Sequence, residues 1–215
     1  MQYRKRARST AAKSERKDAI IAAAETLLRQ SGYDAITMQA VAMEAGLAKG
    51  TLYLYFASRE ILILDVYGRL FDRWIERFAS HGSEVAEFQE FCRDFYHYYS
   101  YDRLFLQLTG AAIPLMELQV DRETFIKGKR AMASRVKKLA GIAYQRLGMN
   151  PILAQKFIWG LLTVASGATQ MSTRPLHANG DFPEDVRVFI DSTSFRTVFL
   201  NAALPVCAGI MQIDT

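Results

Sequence analysis

The stretch from Thr37 to Glu60, TMQAVAMEAGLAKGTLYLYFASRE, constrains this chain more than any other. Thr37 is placed as an N-cap, because its hydroxyl can accept from an amide left unpaired at the start of a helix. Met38, Val41, Ala42 and Ala45 follow at helical spacing and form one apolar face. Gly46 stands where the chain must leave that helix, and glycine reaches a positive φ without steric cost. Leu47 plugs the angle, and the pattern predicts a second helix from about Ala48 to Phe56 with Leu52 and Phe56 turned inward. Lys49, Thr51, Tyr53 and Tyr55 are left for the outer side. Ser58 is the expected cap of a third helix, with Glu60 favourably placed in its first turn. Two short helices joined by a glycine turn, the second with a polar and aromatic outer face, make a helix-turn-helix pattern. That motif sets its second helix in the DNA major groove.

These residues resemble the DNA-binding segment of the TetR (tetracycline-repressor-like) family of bacterial transcriptional regulators. The resemblance is carried by Ala42, Gly46, Gly50, Thr51, Tyr53, Tyr55, Phe56, Ser58, Arg59 and Glu60, with Arg59 where the family form has lysine. It is strong over roughly residues 15 to 62; beyond them the family shares architecture more than motif. It implies an all-α fold, with an N-terminal three-helix DNA-binding domain and a larger helical domain for ligand binding and dimerisation. The domain plan is then a flexible basic arm over residues 1–13, the reader over 14–60 and the effector and dimerisation domain over 61–215. Carried over by position, Thr37, Tyr55 and Arg59 hold phosphates. Lys49, Gly50, Thr51 and Tyr53 face the groove, with Gly50 permitting close approach and the other three offering contacts to base edges or phosphate.

Charge agrees with that assignment. Of the formal net charge of +5, residues 1–60 supply a surplus of 4, with 10 Lys+Arg against 6 Asp+Glu. A basic excess concentrated at the reader is the footprint of a phosphate-binding surface. Arg4, Lys5, Arg6 and Arg8 belong to the expected arm, which either trails along the DNA backbone or enters the adjacent minor groove, or forms a tail with only non-specific attraction.

The rest of the chain is helical by pattern. One helix is predicted from Ser14 to Ser31, stopped by Gly32. Another starts after Glu60 and is closed by His81-Gly82-Ser83; it links the two halves mechanically. Further helices are predicted over Glu84–Tyr99, Asp102–Ile113 (ending before Pro114), Leu118–Leu147, Pro151–Met171 and Glu184–Leu204 (stopped by Pro205), with a polar loop over Ser172–Pro183. The basic run on the helix ending at Leu147 reads as a solvated face.

The helices at about 151–171 and 184–204 carry wide apolar surfaces and small residues such as Gly160 and Gly167. In the resembled family, two such helices meet their copies in a four-helix homodimer interface. Phe95, Tyr98, Tyr99, Phe105, Met116, Phe125, Met132 and Trp159 are candidates to line a pocket, where the resemblance implies a small-molecule effector.

No catalytic or cofactor signature emerges. His81, His97 and His177 are scattered, Cys92 and Cys207 have no metal spacing, and no phosphate loop or nucleophile elbow occurs, so neither an enzyme nor a metal site is expected. The start, MQYRKRARS, lacks an apolar leader segment, and the apolar run Phe157–Ala168 is shorter than the ~20 residues a spanning helix requires, so a cytoplasmic protein is expected. The reading is a ligand-responsive DNA-binding regulator, a repressor released by an apolar or aromatic effector. An effector-independent DNA-binding factor of nucleoid or cell-division type, or an activator, would share its features.

Overall fold

The structure is a computed structural model that describes residues 2–33, 36–80, 87–172 and 182–213. Among these residues it is all-helical. The helices are α1 (Gln2–Ser31), α2 (Met38–Glu44), α3 (Lys49–Tyr53), α4 (Arg59–Ser80), α5 (Phe88–Ser100), α6 (Arg103–Leu118), α7 (Arg122–Leu147), α8 (Pro151–Met171), α9 (Glu184–Ser192) and α10 (Phe195–Ile213). They form two compact units. One holds the residues up to Leu70 with Ala112–Phe125; the other holds Phe71–Ala111 with the residues from Ile126 onward.

In the first unit an aliphatic core closes around α2 and α3. Ile20, Ala24, Leu28, Ile36, Val41, Ala42, Leu52, Phe56, Leu62 and Val66 are all at or below 1% exposure, so each large side chain contributes about 1.5–3 kcal/mol by leaving water. Ion pairs brace α1 against α4 at the surface. Lys17 Nζ lies 2.5 Å from Asp65 Oδ2, and Arg69 pairs with Asp18. Lys17 also sits over the Phe56 ring.

α1 runs unbroken from Gln2 and so takes in residues of the expected arm. No glycine or proline interrupts residues 2–31, and Ala, Arg, Lys and Gln are good helix formers. The side chains of Arg4, Lys5, Arg6 and Arg8 lie outside the described ones, as do His81, Gly82, Ser83, His177 and most of the expected 172–183 loop.

Several helix boundaries differ from expectation for physical reasons. Pro114 lies inside α6 and Pro205 inside α10. Each forfeits a backbone hydrogen bond, but neighbouring burial, of Leu115 in α6 and of Ala203 and Cys207 in α10, favours continuing the helix. The expected single helix from Leu118 begins instead at Arg122, because Asp121 Oδ1 accepts from the amides of Glu123 (2.9 Å) and Thr124 (3.0 Å) and opens α7. The expected last helix is two helices. Thr193 ends α9, and Ser194 Oγ accepts from Thr197 N at 3.3 Å to start α10.

In the second unit α8 packs along α10, and α10 against α5. A Cβ placed on Gly160 would come 2.7 Å from Ile210 Cδ1, so this small residue admits α10 of the same chain. Asn150 caps α8 through Leu153 N, and Pro151 takes the first helical position. On α7 the expected solvated face holds an exception. Arg135 makes a two-pronged pair with Asp72, at 2.9 and 2.8 Å, and lies over the Phe71 ring.

Candidate nucleic-acid interface

Thr37 has extended backbone angles, φ −127° and ψ 155°, and its side chain accepts from Ala40 N at 3.1 Å, so α2 begins where its sequence dictates. Its other end closes as a Schellman motif. Gly46 takes φ +65°, its amide donates to Met43 O at 3.1 Å, and Leu47 N donates to Ala42 O at 2.8 Å. Two otherwise orphaned carbonyls are satisfied, and the exit direction of the chain is set. α3 follows after a bend of two residues.

α3 is shorter than the expected Ala48–Phe56. After Tyr53 the chain tightens into a turn, with Tyr55 N donating to Leu52 O at 2.9 Å. Leu52 and Phe56 point inward at 0% and 1% exposure. Lys49, Gly50 and Tyr53 are exposed, while Thr51 and Tyr55 are half-buried. A Cβ on Gly50 would meet nothing within 4 Å, so the protein itself does not require glycine there. The structure thus brings Lys49, Gly50, Thr51 and Tyr53 together on one short helix, while Thr37 stands exposed at the start of α2.

Arg59 is turned partly inward. Its Nη1 donates to Ile36 O at 3.3 Å, its Nε lies 3.4 Å from Glu60 Oε1, and its guanidinium sits over the Tyr33 ring. It therefore ties the start of α4 to the segment that leads into α2. Ser58 Oγ accepts from Ile61 N at 3.3 Å, as its sequence position predicts.

Leu54 was not among the expected contact residues, yet at 77% it is more exposed than Tyr53 at 46%. Its position two residues after inward Leu52 was the available signal, since about 200° of helical rotation separates the two.

The ligand-pocket candidates divide. Phe95, Tyr99 and Phe105 are buried around Trp74, with ring centroids 5.2, 5.3 and 5.9 Å from it. Tyr98 is half-buried at the Phe78 ring, and Met132 is half-buried on α7. Trp159 is 47% exposed on an outward stripe of α8 that includes Ile152, so it does not join the buried rings. Met116 and Phe125 belong to the first unit, the other six to the second.

Arg146, in the last turn of α7, is buried. It donates to the Phe78 carbonyl at 2.6 Å at the C-terminal end of α4, where a cation is favourable. Asp94 is held above the ordinary carboxylate value by burial, an effect tempered by the charge of Arg146. Cys92 and Cys207 are free and buried, and the Cys207 thiol is pushed far up by its hydrogen bond with Cys92 and by burial. Such a thiol holds its proton and packs as an apolar group.

Among the described residues no cluster of three or more His, Cys, Asp or Glu could hold a metal ion, and no single helix is long and apolar enough to cross a membrane.

A capped helix, a glycine turn and an exposed second helix, on a chain that continues as a larger helical unit, define a helix-turn-helix DNA-binding regulator. Residues 20–66 match the profile of bacterial regulatory proteins of the tetR family, and residues 67–209 match the tetracyclin repressor-like C-terminal domain. The chain belongs to the TetR family.

It is 33% identical over 155 residues to the HTH-type transcriptional regulator RutR of Escherichia coli K12, covering 66% of this chain and 72% of RutR. It is 42% identical over 62 residues to the HTH-type transcriptional repressor KstR of Mycolicibacterium smegmatis, covering 29% of this chain. That match spans only 30% of KstR's length.

In fold the chain is similar to a transcriptional regulator from Rhodococcus sp. Rha1, with a TM-score of 0.57 at 12% identity over 91% of this chain and 96% of that one. It is also similar to the multidrug binding protein EbrR complexed with ethidium, with a TM-score of 0.52 at 19% identity over 83% of this chain and 98% of that one.

Proposed function

We propose that this protein is a cytoplasmic, homodimeric repressor that holds a near-palindromic operator through two copies of α3 and releases it when a small apolar or aromatic effector binds. The observation that carries the reading is the outward face of α3. Lys49, Gly50 and Tyr53 are exposed there with no partner required of them by the fold, on a helix anchored from behind by Leu52 and Phe56. Thr37, Tyr55 and the free donors of Arg59 serve as phosphate contacts flanking that face. Lys49, Thr51 and Tyr53 read or border the base edges, and Gly50 lets the groove wall approach. No catalytic role is assigned to any residue.

Dimerisation is assigned to α8 and the helices after it. Ile152 and Trp159 on α8, Val186, Val188 and Phe189 on α9, and Val206 on α10 are large apolar side chains left in water by the single chain. Covering them with a second copy removes that exposure and supplies the two half-sites, about 34–36 Å apart, that a two-fold DNA reader needs. In domain terms, residues 14–60 serve as the reader and 61–215 as the effector and dimerisation part. α4 is one continuous helix from Arg59 to Ser80, so effector occupancy is proposed to bias the readers through it.

EbrR is described as a multidrug binding protein with ethidium bound, which supports an effector here. Selection from a random duplex library, followed by gel-shift titration, tests the reading. The expected result is an inverted repeat bound by a dimer; recovery of no enriched sequence would reject it.

A further inference from the structure

Trp74 lies on α4 at 4% exposure, and its indole Nε1 has no hydrogen-bond partner among the described residues. Five rings surround it: Phe71, Phe78, Phe95, Tyr99 and Phe105, with centroids 5.2 to 5.9 Å away. The ring planes of Phe95 and Tyr99 lie at 77° and 84° to the indole plane. Aromatic rings offer an N–H no more than a weak contact, so most of the desolvation cost of the donor stays unrelieved. A buried donor left unsatisfied by its own protein is a place where an incoming acceptor gains a full hydrogen bond.

A second observation gives the sign of the missing group. Arg146 is 5% exposed, and its Nη1 also has no partner among the described residues. Its guanidinium lies 4.8 Å over the ring of Phe78, the same ring that stacks on Trp74 at 5.9 Å. Two N–H donors without acceptors therefore border one aromatic ring, one of them cationic. Asp94 is the acidic group that faces Arg146, and burial disfavours its charged form. The environment thus favours an acceptor and disfavours another cation.

We propose that the second unit binds a flat, largely apolar ligand carrying a carbonyl or carboxylate oxygen, and that Trp74 Nε1 donates to that oxygen. This rests on the effector reading above and narrows it to a chemical class, neutral or anionic rather than cationic. The rings around Trp74 supply the apolar contact area and the indole supplies the orientation.

The test uses the full chain carrying Trp159→Phe, which leaves Trp74 as the sole tryptophan of the two in the sequence. Three probes of matched shape are titrated calorimetrically: 2-acetylnaphthalene, 2-ethylnaphthalene and the 2-naphthylmethylammonium cation. The acetyl compound is expected to bind at least about tenfold tighter than the ethyl compound, the worth of one hydrogen bond to a buried donor, and to shift Trp74 emission. In Trp74→Phe that preference should fall below about twofold, with melting curves confirming the fold. If Trp74→Phe does not fold, the acetyl-to-ethyl ratio and the emission shift in the Trp159→Phe protein decide alone.

Equal affinities, tighter binding of the cation, no binding of the acetyl compound, or a preference that survives Trp74→Phe would each overturn the proposal. Release of the selected duplex is scored separately. An acetyl preference without release leaves Trp74 as the anchor and removes the effector reading. Release by a ligand indifferent to Trp74 does the reverse.

Discussion

The two units treat polar groups in opposite ways. Among the described residues, every buried side-chain atom without a partner lies in the second unit: Trp74 Nε1, Arg146 Nη1 and Ser166 Oγ. So do the buried polar residues Thr109, Arg146 and Thr169. The first unit buries aliphatic and aromatic groups around α2 and α3 and sends its polar chemistry outward, to Lys49, Thr51 and Tyr53. A reader must present a fixed surface to a large rigid partner, so its interior gains from being simple and fully satisfied. A unit that takes up a small molecule gains from holding donors inside that only the ligand completes.

The largest expected effect tests the simple core. Phe56→Ala removes a ring at 1% exposure and should cost about 3–5 kcal/mol, read from urea unfolding, with loss of DNA binding. A cost under about 1 kcal/mol would mean that the first unit is not the tightly filled body described here.

Next come Lys49→Ala and Tyr53→Ala. Each should lower operator affinity by about 1–3 kcal/mol in gel-shift titration, while helicity and dimerisation stay at wild-type levels. Unchanged affinity for both would remove the outward face of α3 from the interface.

Gly50→Ala sharpens the same contrast. Nothing in the protein lies within 4 Å of the added methyl, and alanine favours the helix by up to about 1 kcal/mol, so the melting temperature should hold or rise. On the proposed docking, affinity for the operator should nevertheless fall, because the methyl would meet the groove wall. A variant that is both more stable and equally tight would show that Gly50 faces open solvent in the complex.

The smallest effect belongs to Asp94. Its folded-state pKa is raised above the ordinary 3.8 by burial, so the folded protein keeps that proton to a higher pH than the unfolded chain. Unfolding stability should therefore fall as pH rises from about that ordinary value through the raised one, and Asp94→Asn should remove this contribution to the slope. Melts between pH 3.5 and 6 that superimpose in slope for the two proteins would remove Asp94 from the buried polar set.

Much of the reader was legible beforehand. Thr37 as a cap, Gly46 at positive φ, Leu52 and Phe56 as the inward pair and Ser58 as the next cap were all readable, because each depends on residues within four positions of itself. The break between α9 and α10 was also written locally, in Ser192-Thr193-Ser194, although the apolar pattern running across it predicts one helix. Leu54 was readable by rotation from Leu52. Trp74 stood in plain view as one more apolar position of α4, and nothing near it in sequence marks its N–H as unpartnered.

The sequence by itself determined the helical class, the glycine turn and the side chains that α3 turns outward, since periodicity, capping and the sterics of positive φ act over one or two helical turns. Only the tertiary structure decided that α6 and α10 continue through Pro114 and Pro205, that Arg146 closes the end of α4, and that Trp74 is enclosed with no acceptor among the described residues. Those outcomes depend on what packs against a residue from 20 to 70 positions away, as Arg146 on Phe78 shows, and the free energy of burial is set by that neighbour rather than by the adjoining chain.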